Sequence, residues 1–182
     1  VAIGLIFSWL YARDNGLLNY IITALGGQAV NWLGTKNAMY SVVIANVWGA
    51  IGEGMVIFLA GLQAVPREYY EAARVDGASG WQQFRHITIP MISGTIFFTL
   101  VVNTIGSLQI FTEVYTMYFG NMSSGAATSA GLFYNIYLFR QAFEFLHMGY
   151  ASAMAWLLFI IILILTIIQL RTSNRWVYYE GA

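Results

Sequence analysis

Residues 66–90 read PREYYEAARVDGASGWQQFRHITIP and form the most polar long stretch of a very apolar chain. They separate two apolar runs of membrane length. Three of the eight basic residues (Arg67, Arg74, Arg85) and three of the eight acidic ones (Glu68, Glu71, Asp76) fall here. Two spans can be joined by a handful of residues, yet this connector carries helix starts, stops and turns. Pro66 suits the first position of a helix, where its missing N–H costs nothing. Glu68 and Glu71 follow in the first turns, facing the positive end of the helix dipole. Tyr69, Ala72, Ala73 and Asp76 share one flat, small face at helical spacing. Gly77 suits the left-handed stop beyond that helix. Ser79 with Gln82 spells a capping box for a second helix. That helix places Trp81, Phe84 and Ile87 on one side, and Pro90 opens the next element.

The rest of the chain fits a membrane setting. Of 182 residues, 59% are hydrophobic and 9% charged, against about 25% charged in soluble domains. Mean hydropathy is +0.65. There is no cysteine, which excludes disulfides and thiolate metal sites. Net charge is zero, with no basic tract for nucleic acid. Catalytic patterns are missing too. Gly34-Thr35-Lys36 lacks the phosphate-loop spacing, there is no H-E-x-x-H, and His86 and His147 lie in separate loops. Hydrolysis by this chain, and a metal site in it, are therefore not expected.

Residues 1–11 are apolar but too short for a hydrocarbon core of roughly 30 Å. They are expected to be the end of a span, with Trp9 and Tyr11 in the interfacial aromatic belt. Residues 13–37 are mixed, with Leu17, Leu18, Ile21, Ile22 and Leu25 as an amphipathic patch on the membrane surface. Residues 38–62 read as a span in which Ala45 and Gly49 let a neighbour approach closely. Glu53 is the acid deep in that span. It is either a contact on a solute path or a structural partner for another helix. Residues 91–112 read as a second span. Thr95, Thr99, Asn103, Gly106 and Gln109 gather on one side at helical spacing, and Glu113 continues it. Asn103 and Gln109 either line a path or bond neighbouring helices. Residues 113–148 read as an outer segment. Within it, 120–131 is a flexible loop and 132–145 an amphipathic aromatic helix. That helix is expected to anchor at the interface rather than to stack on a ring-shaped solute or dock a partner protein. Asn121-Met122-Ser123 fits a glycosylation sequon. Residues 149–170 read as the last span, with a lipid-facing run from Leu157 to Leu165, and 171–182 as a tail.

Glu71-Ala72-Ala73, then Asp76-Gly77-Ala78, then Phe84, Ile87 and Ile89-Pro90 resemble the EAA loop of binding-protein-dependent ABC importer permeases. The resemblance is to the carbohydrate branch, with its maltose, glycerol-3-phosphate and multiple-sugar members. It implies an all-α transmembrane fold, a polytopic helical bundle of the type I importer permease kind, of which this is a C-terminal fragment lacking N-terminal spans. It implies that Glu71, Ala72, Ala73, Asp76, Gly77, Ala78, Phe84 and Pro90 couple to a cytoplasmic ATPase. Implied partners are a second permease subunit in a heterodimer, two ABC ATPases that bind ATP and Mg, and an outside solute-binding protein. Glu53, Asn103, Gln109 and Glu113 are the candidate contacts for sugar. A Gly-Gly-Pro turn often found in the family is replaced here by Asn121-Met122-Ser123-Ser124-Gly125. Arg175-Trp176-Val177-Tyr178-Tyr179 resembles the end of maltose-type permeases, implying that the C-terminus is present.

Alternating spans put 66–90 and 171–182 on one side with five basic residues (Arg67, Arg74, Arg85, Arg171, Arg175). Three (Arg13, Lys36, Arg140) lie opposite. The positive-inside rule then places the loop in the cytoplasm, and the resemblance implies a bacterial-type inner membrane. The competing reading is a secondary transporter or a membrane scaffold with a non-ATPase partner, to which Glu53 and its flanking glycines are the pointer.

Overall fold

A computed structural model describes residues 1–119 and 131–178. The expected flexible loop, the sequon and Tyr179 lie wholly or mainly outside the described residues. Among those described, all regular structure is helical. The helices are α1 (Ala2–Leu10), α2 (Leu17–Ala24), α3 (Ala38–Gln63), α4 (Arg67–Val75), α5 (Gly80–Gln83), α6 (Ile89–Met91), α7 (Ser93–Leu108), α8 (Thr112–Tyr118), α9 (Tyr134–Phe139) and α10 (Met148–Ser173). Wider π-helical turns occupy Phe84–Thr88 and Arg140–Glu144.

Three stretches are long and apolar enough to cross a bilayer: Ala38–Gln63, Ser93–Tyr118 and Met148–Ser173. At 26 residues, α3 and α10 each reach about 39 Å. Most of the apolar side chains of α10 are exposed, Trp156 at 65% and Leu157 at 58% among them. Hydrocarbon solvates such a surface without cost, whereas water does not. The middle stretch is not one helix. It ends as α7 at Leu108 and restarts as α8, with Phe111 off helical geometry (φ −140°, ψ −59°). Within the expected span over 91–112, the helix therefore stops at Leu108 and does not run on unbroken to Thr112. One carbonyl freed by the break, that of Ile110, accepts from Asn135 Nδ2 at 3.5 Å.

The chain divides into two compact units. The first comprises Val1–Ala50 and Gln109–Leu158. Its core is Phe7, Tyr11, Ala38, Val42, Ala45, Val114, Met117, Tyr118 and Ile136. Helix α1 lies against α8 where Gly4 meets Thr116; a Cβ on Gly4 would stand 2.8 Å from the Thr116 Cβ. Ala45 is fully buried, and a Cβ on Gly49 would come 2.8 Å from Ile3, so the small face of α3 receives α1. Tyr11 departs from expectation. It is 2% exposed, donates its hydroxyl to the Ser41 carbonyl (3.1 Å) and stacks on Trp32. A phenol with a buried partner gains more from the core than from the interface. In α2 the buried residue is Asn19, not the leucine patch. Its amide donates to the Arg13 and Val30 carbonyls and accepts from Val30 N–H and Trp32 Nε1. A buried amide is stable only when satisfied in this way.

The second unit comprises Ile51–Leu108 and the chain from Phe159 onward. Helices α3 and α7 meet at Gly61, where a Cβ would stand 2.7 Å from Thr95 Oγ1. Helices α7 and α10 are joined by Gln169 Nε2 donating to Thr104 Oγ1 at 2.8 Å. The loop over 66–90 belongs to this unit.

Candidate functional site

The loop is built of two short arms with a defined stop between them. Pro66 is not the first helical residue of α4, as expected, but its N-cap in extended geometry (φ −62°, ψ 134°). The helix starts at Arg67, with Glu68 in its first turn and Arg74 in its last, both favourably placed on the dipole. It ends in a Schellman motif. Ala78 N–H bonds the Ala73 carbonyl at 2.9 Å and Gly77 N–H bonds the Arg74 carbonyl at 3.0 Å. Gly77 sits at φ +77°, where a side chain is strained.

The second arm starts with the expected capping box. Ser79 N–H donates to Gln82 Oε1 at 2.7 Å, and Gln82 N–H donates to Ser79 Oγ at 3.4 Å. Replacing Ser79 with alanine removes the oxygen that accepts from the Gln82 N–H and leaves that donor unsatisfied, typically at a cost of about 1 kcal/mol. The expected result is hydrogen exchange about fivefold faster at the Gln82 amide; unchanged exchange would show that the box holds nothing. Beyond Gln83 the helix widens, and Ile89 N–H bonds the Phe84 carbonyl. Pro90 has no N–H for the His86 carbonyl, which removes one bond from an ordinary α turn. The widening shifts the expected Trp81–Phe84–Ile87 face. The rings of Trp81 and Phe84 sit 5.6 Å apart and both are exposed, while Ile87 is half-buried.

The arms are tied to one another and to the next span. Tyr70 Oη and Thr88 Oγ1 are 2.9 Å apart, with Thr88 buried. Gln83 Nε2 donates to the Ala78 carbonyl at 3.0 Å, and Ser93 Oγ donates to the Pro90 carbonyl at 2.6 Å. Between the arms lies an open hollow of about 340 Å³, lined by Ala73, Asp76, Gly77, Ala78, Gln82, Gln83, His86 and Ile87. Glu71 and Ala72 are exposed on α4, and Tyr69, Val75, Trp81 and Phe84 add exposed apolar surface to this charged segment. Sequence reasoning did not pick out Val75 or the Tyr70–Thr88 tie. The tie joins residues eighteen apart on separate arms, and no local signal marks it.

The candidate path residues are more scattered. Glu53 on α3 and Asn103 on α7 are exposed within the second unit; Gln109 is exposed and Glu113 half-buried in the first. No hydrogen bond or ion pair joins any two of the four among the described residues. Gln109 lies in the break after α7, so Glu113 does not continue the polar side of that helix.

Among the described residues, then, the chain is a helical integral membrane protein in which two long apolar helical stretches flank a cross-tied, largely exposed loop. It belongs to the binding-protein-dependent transport system inner membrane component family, whose model matches residues 1–177. The chain is 38% identical to the probable ABC transporter permease protein YesP of Bacillus subtilis, over all of this chain and 58% of that protein. It is 37% identical to the trehalose/maltose transport system permease protein MalF of Thermococcus litoralis, over 91% of this chain and 54% of that one. It is 34% identical to the arabinooligosaccharides transport system permease protein AraP of Bacillus subtilis, over 96% and 55%. The chain thus spans little more than half the length of these relatives. A chain in the crystal structure of a bacterial alginate ABC transporter, in complex with an alginate pentasaccharide-bound periplasmic protein, superposes with a TM-score of 0.81. It is 20% identical, covering 96% of this chain and 59% of that one. The fold is accordingly the all-α type I importer permease kind.

Proposed function

We propose that the chain is part of the transmembrane permease subunit of an ATP-driven sugar importer, forming the translocation path and coupling to a cytoplasmic ATPase. The loop carries this reading. Its two capped arms are cross-tied, anchored to α7 through Ser93, and rimmed with charge around exposed Tyr69, Val75, Trp81 and Phe84. An apolar patch on an otherwise charged surface suits a protein partner. Glu71, Ala72, Ala73, Asp76, Gly77, Ala78, Phe84 and Pro90 form or frame the surface that docks on a cytoplasmic ATPase. The ATPases, two per transporter, bind the ATP and Mg. A second, related permease subunit completes the path, and a solute-binding protein delivers substrate from outside. The five-to-three division of basic residues supports the loop and tail facing the cytoplasm. Trehalose, maltose and arabinooligosaccharides in the relatives' names support a sugar substrate. Glu53, Asn103, Gln109 and Glu113 are the proposed contacts along the path.

The physics of coupling follows from the ties. Nucleotide-driven closure of the ATPases moves the docked arms. The Ser93–Pro90 bond and the close approach at Gly61 pass that motion to α7 and α3. Coupling requires one element whose two states both sites bias. The test is purification of the full-length protein with its associated subunits, followed by uptake of labelled trehalose and maltose into proteoliposomes. An attached ATPase and ATP-dependent uptake are expected. Uptake driven by an ion gradient, with no ATPase attached, would establish a secondary transporter instead.

A further inference from the structure

The segment after α10 turns back onto the start of α7. Val177 N–H bonds the Ser173 carbonyl at 2.9 Å, and Ser173 is buried, its hydroxyl bonded to the Leu170 carbonyl. The chain reversed in this way brings Tyr178 N–H to Ser93 Oγ at 2.8 Å. That same hydroxyl donates to the Pro90 carbonyl at 2.6 Å. One oxygen, on a residue 2% exposed, therefore joins the end of the polar loop, the first turn of α7 and the tail. One helical turn further along, the Trp176 ring meets Phe97 edge-on at 6.0 Å. Ser93 and Phe97 are four apart and share a face of α7. Val177 is buried at 8% exposure between these two contacts in sequence. A solvated tail with nothing to hold would not bury a valine and spend a backbone donor on a serine 85 residues away.

We propose that residues 173–178 are a brace that makes α10 move with α7, with Ser93 and Trp176 as its positioning residues. The proposal rests on the importer reading for its functional consequence, though not for its geometry. Without the brace, α7 and α10 are still joined through Thr104, well along α7 from Ser93, and Gln169, near the end of α10. Motion entering at the loop end would then be taken up by slack between the two helices. The brace removes that slack at the point where the motion enters.

The test uses the full-length transporter with its subunits in proteoliposomes. Losing both hydrogen bonds of the Ser93 hydroxyl in Ser93→Ala, or the ring contact in Trp176→Ala, should lower uptake about fivefold or more. The ATPases should stay attached, so that more ATP is hydrolysed per sugar imported. Ser93→Thr keeps the hydroxyl and should restore the ratio. A cysteine at Val177 in a cysteine-free background reads the brace without any ATPase. It should resist a membrane-impermeant maleimide, and become reactive when Ser93→Ala is added. Equal ATP-to-sugar ratios in wild type and both variants, or a Val177→Cys thiol already reactive with Ser93 intact, overturns the brace. A wild-type preparation without an ATPase overturns the importer reading, and the maleimide result still decides the brace.

Discussion

Gly77→Val is expected to reduce ATP-dependent uptake about tenfold or more while the protein still inserts in the membrane. A left-handed conformation costs an L-residue about 1–2 kcal/mol, and β-branching adds to it. A Cβ there meets nothing within 4 Å, so the penalty comes from the backbone and cannot be relieved by a neighbour yielding. The strain is released by unwinding the stop, which breaks the bonds from Gly77 and Ala78 to Arg74 and Ala73. The two arms then lose their fixed angle. Apparent affinity for the docked partner falls in proportion to the population that keeps it, and about 1.4 kcal/mol is tenfold. Gly77→Asn should lose much less, because asparagine tolerates this conformation. Uptake assays at matched protein levels decide the matter. Wild-type uptake by the valine variant would mean that the stop does not hold the docking geometry.

The second large effect is expected at the contact of α3 with α7. Gly61→Ala would place a methyl 2.7 Å from Thr95 Oγ1 and 3.2 Å from its Cβ. Overpacking of this sort costs about 1–3 kcal/mol. Thr95→Ala removes the hydroxyl and methyl that obstruct it, so the double variant should be more stable than Gly61→Ala alone. The coupling between the two sites should be about 0.5–3 kcal/mol. Thermal unfolding of the four proteins in detergent closes the cycle. Strict additivity would show that the helices separate freely there, and that the loop's motion has no rigid path into α3.

What could be read in advance was local. The glycine stop and the Ser79–Gln82 box each declare themselves within six residues, because caps are made by neighbours in sequence. The apolar runs are equally plain, since their length and composition alone meet the demand of the bilayer. The contacts that tie the loop's arms together and its flanking helices to one another were not legible. Tyr70 with Thr88, Gly61 with Thr95 and Ser93 with Tyr178 pair residues brought together only by the folded chain. Tyr11 misleads for the same reason. An aromatic ring near the end of an apolar run fits the interface equally well, until Ser41 offers its carbonyl thirty residues away. The break at 109–111 contains neither glycine nor proline, so extrapolating one helical face as far as Glu113 had nothing to stop it. The candidate path residues suffer most. A polar side chain on a span can bind solute or another helix, and spacing alone does not distinguish them.

The central claim is that the loop over 66–90 meets an ATP-driven machine on the cytoplasmic side. These 182 residues contain no cysteine, so a thiol introduced at exposed Ala72 is unique within them. In the assembled full-length transporter, with other thiols removed, Ala72→Cys should be labelled by a membrane-impermeant maleimide in inside-out vesicles and not in right-side-out cells. A short bifunctional reagent should link it to the ATPase subunit, with a yield that changes when ATP is added. Labelling confined to the outer face, or no link to any nucleotide-binding subunit, would contradict the account.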